Sequence, residues 1–408
     1  MRTTRLFTAA FICYTSIAVA QTWEQLPDFP GTPRDDAASF MIGDHIYVGT
    51  GMEVGWGLTN DWWRFDTQTE TWEQVASLPA SPRQYCSGFS SVDMGYLFGG
   101  LDADGALNEL WAYDPDLDQW MERAPLPAEP RYACVSMGSA VFGMIATGMF
   151  DNGAATNEAW RYIYNGDSWS TMASVPGPPR HRASGFNSTW GFTITGGADS
   201  DFIALDDSWH YQLPLETGEW QEYMLLPAPR YGHRGFGWGG TLSVSGGDIV
   251  MGGASATTTF HNDVWQKVSD EWVDLPAFPP GPRRGGVIAG KTTIEPVVKT
   301  IYFGLGLQPE GGDFIRMNDW WKLTYPLSID ERDVATITVF PNPAQDRITV
   351  HDINSKAGFI VLDVLGRSLN MGTIVNGTID VGSLSAGRYT LLLMNEGTTL
   401  RSSFIKLP

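Results

Sequence analysis

Cysteine is nearly absent, with three residues in 408. Cys13 lies in an apolar N-terminal run, which leaves only Cys86 and Cys134, three residues after Arg83 and Arg131 in neighbouring repeats. Equivalent positions of adjacent repeats are usually too far apart for the ~5.5 Å Cα separation of a disulfide, so two small buried thiols are favoured over a bridge. Positive charge is scarce as well. Lys and Arg number 26 against 46 Asp and Glu, a formal net charge of -20. That balance argues against nucleic acid as a partner and against adsorption to anionic lipid. Beyond Val19 no stretch approaches the ~20 uninterrupted apolar residues of a membrane-spanning helix, so no transmembrane segment is expected. P-loop, dinucleotide and Gly-x-Ser-x-Gly signatures are missing, and no pair of candidate ligands has close metal-binding spacing. Neither a cofactor nor a metal is expected.

The first residues supply the exception to the missing apolar runs. Arg2 and Arg5 precede an apolar stretch from Leu6 to Val19, and Ala18, Val19 and Ala20 form a small-residue site before Gln21. Residues 1 to 20 are therefore expected to be a cleaved secretory signal.

Tryptophan and glycine are abundant, and twelve of the 17 tryptophans fall on two ladders. Trp23, Trp72, Trp120, Trp169, Trp220 and Trp272 recur about every 50 residues, each followed by a Pro-Arg pair. The second ladder is Trp63, Trp111, Trp160, Trp209, Trp265 and Trp321. Between them lie β-compatible runs closed by Gly51, Gly100, Gly148, Gly197, Gly253 and Gly306, positions suited to positive φ. Each repeat thus predicts four short antiparallel strands. A four-stranded unit cannot cover both its faces, so the units must stack and close into a ring. The sixth repeat lacks a fourth strand of its own, and the strand around Trp23 is expected to complete it.

This ordered pattern resembles the kelch family over residues 21 to 326. The resemblance implies an all-β, six-bladed propeller. Departures are Thr50 and Leu305 in place of the first glycine of a pair, an insertion around Lys291 to Lys299, and a longer loop from Leu307 to Arg316.

After a polar linker, 327 to 336, the tryptophans stop. Residues 337 to 408 alternate apolar and polar positions with Asn-Pro and Ala-Gly turns, the pattern of a small antiparallel β-sandwich. Three ordered motifs occur there: Ile337 to Ala344 with Pro341, Asn342 and Pro343; Val361 to Arg367; and Ile379 to Tyr389, followed by Phe404 to Lys406. They resemble the type A C-terminal sorting domain of the type IX, or Por, secretion system. That resemblance implies the outer-membrane export machinery as a partner, and a product secreted or held on the outer cell surface.

The best candidates for chemistry are arginines. Arg34, Arg83, Arg131, Arg180, Arg230 and Arg283 begin inner strands and should converge on one mouth of the central channel, joined by Arg182, Arg234 and Arg284. Such a collar suits a carboxylate or sulfate. Each repeat also carries Asp61, Glu109, Glu158, Asp207, Asp263 or Asp319 two residues before its second-ladder tryptophan, so structural ion pairs are the favoured reading of the six repeating arginines. Arg182, Arg234 and Arg284 fall outside the repeat and are the better ligand candidates. Trp56, off both ladders, could stack on a sugar or peptide, though single exposed aromatics are common. The leading expectation is a noncatalytic binder of a glycan or extracellular protein. The alternative resembles six-bladed kelch-type sialic acid mutarotases, with His181 or His233 as general base.

Overall fold

The computed structural model describes residues 22–188, 191–212, 218–237, 248–268, 271–294, 297–326, 335–350, 357–363, 368–374, 377–395 and 398–407. The expected secretory signal and most of the expected linker lie outside them. Among the described residues the chain is all strand and turn, with a single 3-10 turn at Tyr164–Gly166 and no α-helix. Among the described residues no helix is long and apolar enough to cross a membrane.

Among the described residues of 22 to 326 there are six four-stranded antiparallel sheets. In the second repeat the strands are Ser87–Ser90, Gly95–Phe98, Leu110–Asp114 and Gln119–Arg123. Their burial follows their position. Gly95–Phe98 is wholly buried, because sheets cover both its faces, whereas Gln119–Arg123 lies at the edge and none of its residues is fully buried. The first strands of the sheets, beginning at Ala38, Ser87, Val135, Ser184, Arg234 and Val287, touch one another in order. Val287–Ile294 returns to Ala38–Ile42, so the circuit is closed.

The sixth sheet is built from both ends of this region. Thr22–Leu26 pairs antiparallel with Asp313–Pro326, setting Trp23 opposite Leu323 and Leu26 opposite Trp320. The two tryptophan ladders explain the stacking. Every indole of the first ladder donates to a carbonyl of the preceding repeat, from Trp72 to Pro27 O at 3.1 Å round to Trp23 to Pro276 O at 2.8 Å. These rings are only half-buried, so truncating one to alanine should cost less than the ~3–5 kcal/mol of a fully packed aromatic.

The glycines closing the second strands all have positive φ, from 93° at Gly253 to 113° at Gly148. The residue before each is also left-handed, including Thr50, Thr147 and Leu305. Thr147 therefore joins the departures visible in the sequence. The expected loop from Leu307 to Arg316 is instead strand: Val297–Glu310 and Asp313–Pro326 form a long hairpin turning at Gly311 and Gly312. Two glycines at φ 60° and 96° permit the tight turn.

Beyond residue 334 a five-stranded and a three-stranded sheet share one apolar cluster that includes Val339, Ile348, Val361, Leu391 and Phe404. Ala335–Thr336, placed in the linker by sequence, already pairs in parallel with Leu400 and Arg401. This sheet is mixed rather than wholly antiparallel.

Candidate functional site

The centre of the closed circuit is built by the residue two after each repeating arginine. Asp36, Tyr85, Ala133, Arg182, Gly232 and Gly285 all take left-handed φ, between 51° and 64°. Each N–H donates to the carbonyl of its predecessor: Asp36 to Gly285 at 2.9 Å, Tyr85 to Asp36 at 3.1 Å, Ala133 to Tyr85 at 2.9 Å, Arg182 to Ala133 at 3.0 Å, Gly232 to Arg182 at 2.8 Å and Gly285 to Gly232 at 2.9 Å. The six bonds form a closed ring across the channel. The non-glycine members hold a conformation that costs L residues roughly 1–2 kcal/mol each, a strain the closure must offset.

The six repeating arginines surround this ring and are committed to the scaffold. Arg34 pairs with Asp61 at 2.6 Å, Arg83 with Glu109 at 2.9 Å, Arg131 with Glu158 at 2.8 Å, Arg180 with Asp207 at 2.6 Å, Arg230 with Asp263 at 2.8 Å, and Arg283 with Asp319. All six guanidinium groups are buried. The carboxylates of all but Asp263 also accept the indole N–H of the tryptophan two residues on. At the remaining position Arg230 lies over the Trp265 ring at 4.1 Å. Burial alone would raise the Asp61 and Asp207 carboxyls, but hydrogen bonds and charge from Arg34 and Arg180 outweigh it and hold both below their usual value.

Arg182, Arg234 and Arg284 differ. Among the described residues none of them has a carboxylate within ion-pair distance. Arg182 stands over the Tyr85 ring at 4.4 Å and the Phe202 ring at 5.2 Å, and its Nε is buried without a partner. Arg284 lies over Phe260 at 5.4 Å and also has an unpartnered Nε. Phe260 stacks on Phe314 at 5.4 Å. Two guanidiniums without carboxylates therefore sit among aromatic rings on the side of the ring where second and third strands are joined. Arg234 falls on the other side, as a residue lining a cavity of about 1010 Å³ bounded by the first strands. It does not belong to the same mouth as Arg182 and Arg284, because it follows its ring residue, Gly232, by two positions.

Trp56 is 76% exposed at φ 69°, and Arg316 lies beneath its ring at 5.1 Å. Arg316 in turn pairs with Asp35 at 2.6 Å. Sequence reading missed this pair, since 281 residues separate its members. Burial, then the neighbouring Asp36, pushes the Asp35 carboxyl above the usual carboxylate range despite Arg316. Burial and Asp36 likewise push the Tyr85 phenol up to about 12. Phe202 and Phe314, with 43% and 44% of their surface exposed, add apolar surface near Arg182 and Arg284. They were legible only as ordinary loop residues.

The two histidines are sealed off. His181 has no exposed surface; Arg182 Nη1 donates to its Nδ1 at 2.7 Å, which leaves the proton on Nε2 to donate to Asp199 O at 3.1 Å. Burial and the Arg182 charge push it down to about 4. His233 is also fully buried, bonded through Nε2 to Thr195 Oγ1 at 2.9 Å, and burial pushes it well below its ordinary value. A general base must reach its substrate, so the expected role of either histidine as the base is set aside. Cys86 and Cys134 are free thiols, pushed up to about 12 by burial.

A closed circuit of four-stranded sheets with a cation-bearing mouth defines the class, an all-β, propeller-like protein carrying a separate C-terminal unit. Among solved structures, one described as the structure of YjhT is similar to this chain at 15% identity and a TM-score of 0.59, covering 72% of this chain and 95% of that one. At that identity the likeness concerns the fold alone. No curated protein matches. Residues 338–406 match the family described as the secretion system C-terminal sorting domain. The chain thus carries the address of type IX export, which sends proteins to the cell surface or out of the cell.

Proposed function

We propose that residues 21 to 326 form a six-bladed kelch-type propeller acting as a noncatalytic binding module, followed by a β-sandwich sorting domain engaged by the type IX export machinery. Its ligand is an anionic glycan, or the acidic surface of an extracellular protein, held at the mouth beside Arg182 and Arg284. The observation that carries this reading is the contrast among nine arginines. Six are locked to carboxylates of their own repeat, while Arg182 and Arg284 face aromatic rings and have no carboxylate partner among the described residues. A carboxylate or sulfate supplies the missing charge in bidentate geometry, and Trp56 and Phe202 offer faces for a sugar ring.

A glycan array probed with the mature chain, beside an Arg182→Ala/Arg284→Ala variant, tests the proposal. Retention of uronic, sialic or sulfated glycans by the first and not the second supports it; equal retention removes the arginines from the site.

The second reading, a sugar-active enzyme resembling sialic acid mutarotase, now rests on Asp35. Burial and Asp36 raise its carboxyl, but Asp35 is itself buried and paired with Arg316, so catalysis requires that pair to open to the substrate. Accelerated anomer exchange that disappears in Asp35→Asn would favour catalysis over simple binding.

A further inference from the structure

The ring of six backbone hydrogen bonds divides the channel into two compartments. None of its residues lines the cavity, which begins with the residues that follow them: Ala37, Cys86, Cys134 and Ala183. At the position two after the ring the repeats carry Ala38, Ser87, Val135, Ser184, Arg234 and Val287. Small or apolar side chains fill five of these places, and a guanidinium fills one.

Its bonding shows what it leaves over. Ser87 Oγ donates to Cys134 O of the next repeat at 2.9 Å, and Arg234 Nε makes the equivalent bond to Gly286 O. One further N–H reaches His233 O at 3.3 Å. Sheet-to-sheet bonding therefore needs only part of a group with five N–H donors. Arg234 Nη2 has no hydrogen-bond partner among the described residues. Other cations of the cavity wall are already paired, Lys291 with Asp44 and Lys322 with Glu70, both at 2.6 Å.

We propose that the floor of this cavity is a second oxyanion site, separated by the ring from the Arg182 and Arg284 mouth, in which Arg234 binds a small carboxylate or sulfate. The inference does not depend on the function proposed for that mouth. Burial holds Arg234 below its usual value, and Asp36 and Tyr85 only partly oppose this. An entering anion restores the charge balance that desolvation removed. The volume of about 1010 Å³ lies at the upper end of small-molecule sites, roughly 300–1,000 Å³, so the anion can be borne on a sugar-sized molecule.

Crystals of the mature chain soaked in selenate, a sulfate analogue, locate bound anions by anomalous scattering. In parallel, calorimetry with sulfate, acetate and glucuronate compares wild type, Arg182→Ala/Arg284→Ala and Arg234→Gln, whose amide still reaches toward Gly286 O. The expected result is an anion on Arg234 in wild type and in the double variant. Affinity of this site should fall at least ~10-fold in Arg234→Gln, as charged hydrogen bonds are lost. An anion found only at Arg182 and Arg284, no anion at Arg234, or an Arg234→Gln affinity equal to wild type overturns the proposal. Should Arg234→Gln fail to fold, the anion positions in wild type and the double variant still decide it.

Discussion

The N–H of Asp36 donates to the carbonyl of Gly285 at 2.9 Å, joining the first repeat to the last at the channel axis. It is the only one of the six ring bonds that runs from a repeat to one later in the chain. The other five link neighbours in sequence order, so this bond, with the pairing of Thr22–Leu26, converts a linear array into a closed one.

Ring geometry predicts a graded response to alanine at its two glycines. At Gly232, φ is 61° and an added Cβ would find ordinary contacts, the nearest at 3.6 Å. Gly232→Ala should therefore cost only the left-handed backbone term, ~1–2 kcal/mol. At Gly285 an added Cβ would also meet Asp36 Oδ1 at 2.6 Å. Gly285→Ala should lower the denaturant midpoint further; equal midpoints for the two variants would contradict the packing around Asp36.

Removing residues 21 to 26 should leave the edge of Asp313–Pro326 unpaired and take Trp23 from its contact with Phe278, 5.2 Å away. Open edges pair with other chains. The truncated chain is expected to aggregate and to lose a single cooperative melt, as read by size-exclusion chromatography and circular dichroism.

The arginine-carboxylate pairs set the acid limit of the propeller. Asp61, Asp207 and Glu158 are held below their ordinary values. The stability they contribute is complete above their unfolded values of ~4 and is lost as pH falls through the lower folded values. Asp207→Asn, which leaves fully buried Arg180 without its charge partner, should cost on the order of 3 kcal/mol at pH 7 and flatten the fall in stability below pH ~4. Melting curves across pH 3 to 7, a range set by ~4 as the carboxylate reference, measure both effects.

These pairs were legible from sequence because arginine and carboxylate recur at fixed offsets from the tryptophans, and a repeated pair of opposite charges has one economical use. The closing strand at Trp23 was legible for the same reason, since the sixth repeat lacked one. Other features were hidden by their physics. Tyr85, Ala133 and Arg182 are residue types that seldom adopt positive φ, and a lone Asp36 among them is too little for a composition signal to mark the ring they form. Without the ring, nothing in the sequence separates Arg234 from Arg182 and Arg284. The hairpin turning at Gly311 and Gly312 read as a loop because its strands carry no tryptophan before Trp320, and the pair Asp35–Arg316 depends on where that hairpin lands.

His181 should remain a neutral imidazole with its proton on Nε2 down to about 4. Its NMR shifts should be flat from pH 8 to pH 5, on either side of the ordinary histidine value of ~6.5. Arg182→Ala removes both a hydrogen bond and a like charge, and should bring the titration upward. A midpoint near 6.5 in wild type would show that the ring is open to solvent.

Trp56 is exposed, so Trp56→Ala should leave stability within ~0.5 kcal/mol while weakening ligand binding by about 2 kcal/mol, the scale of an aromatic hot spot. Matched chemical denaturation and binding titrations separate the two quantities. Loss of stability without loss of binding would make Trp56 a cover for the Arg316–Asp35 pair instead of a ligand platform.

The central claim is that the arginines outside the repeat, and not those within it, bind the ligand. Equilibrium titration of the mature chain with the best anionic glycan tests it most directly, comparing wild type with Arg182→Ala/Arg284→Ala after confirming that both melt as folded proteins. Saturable, salt-sensitive binding is expected in wild type, with at least a ~100-fold loss in the variant, as two charged contacts disappear. Undiminished affinity in the folded double variant would contradict it.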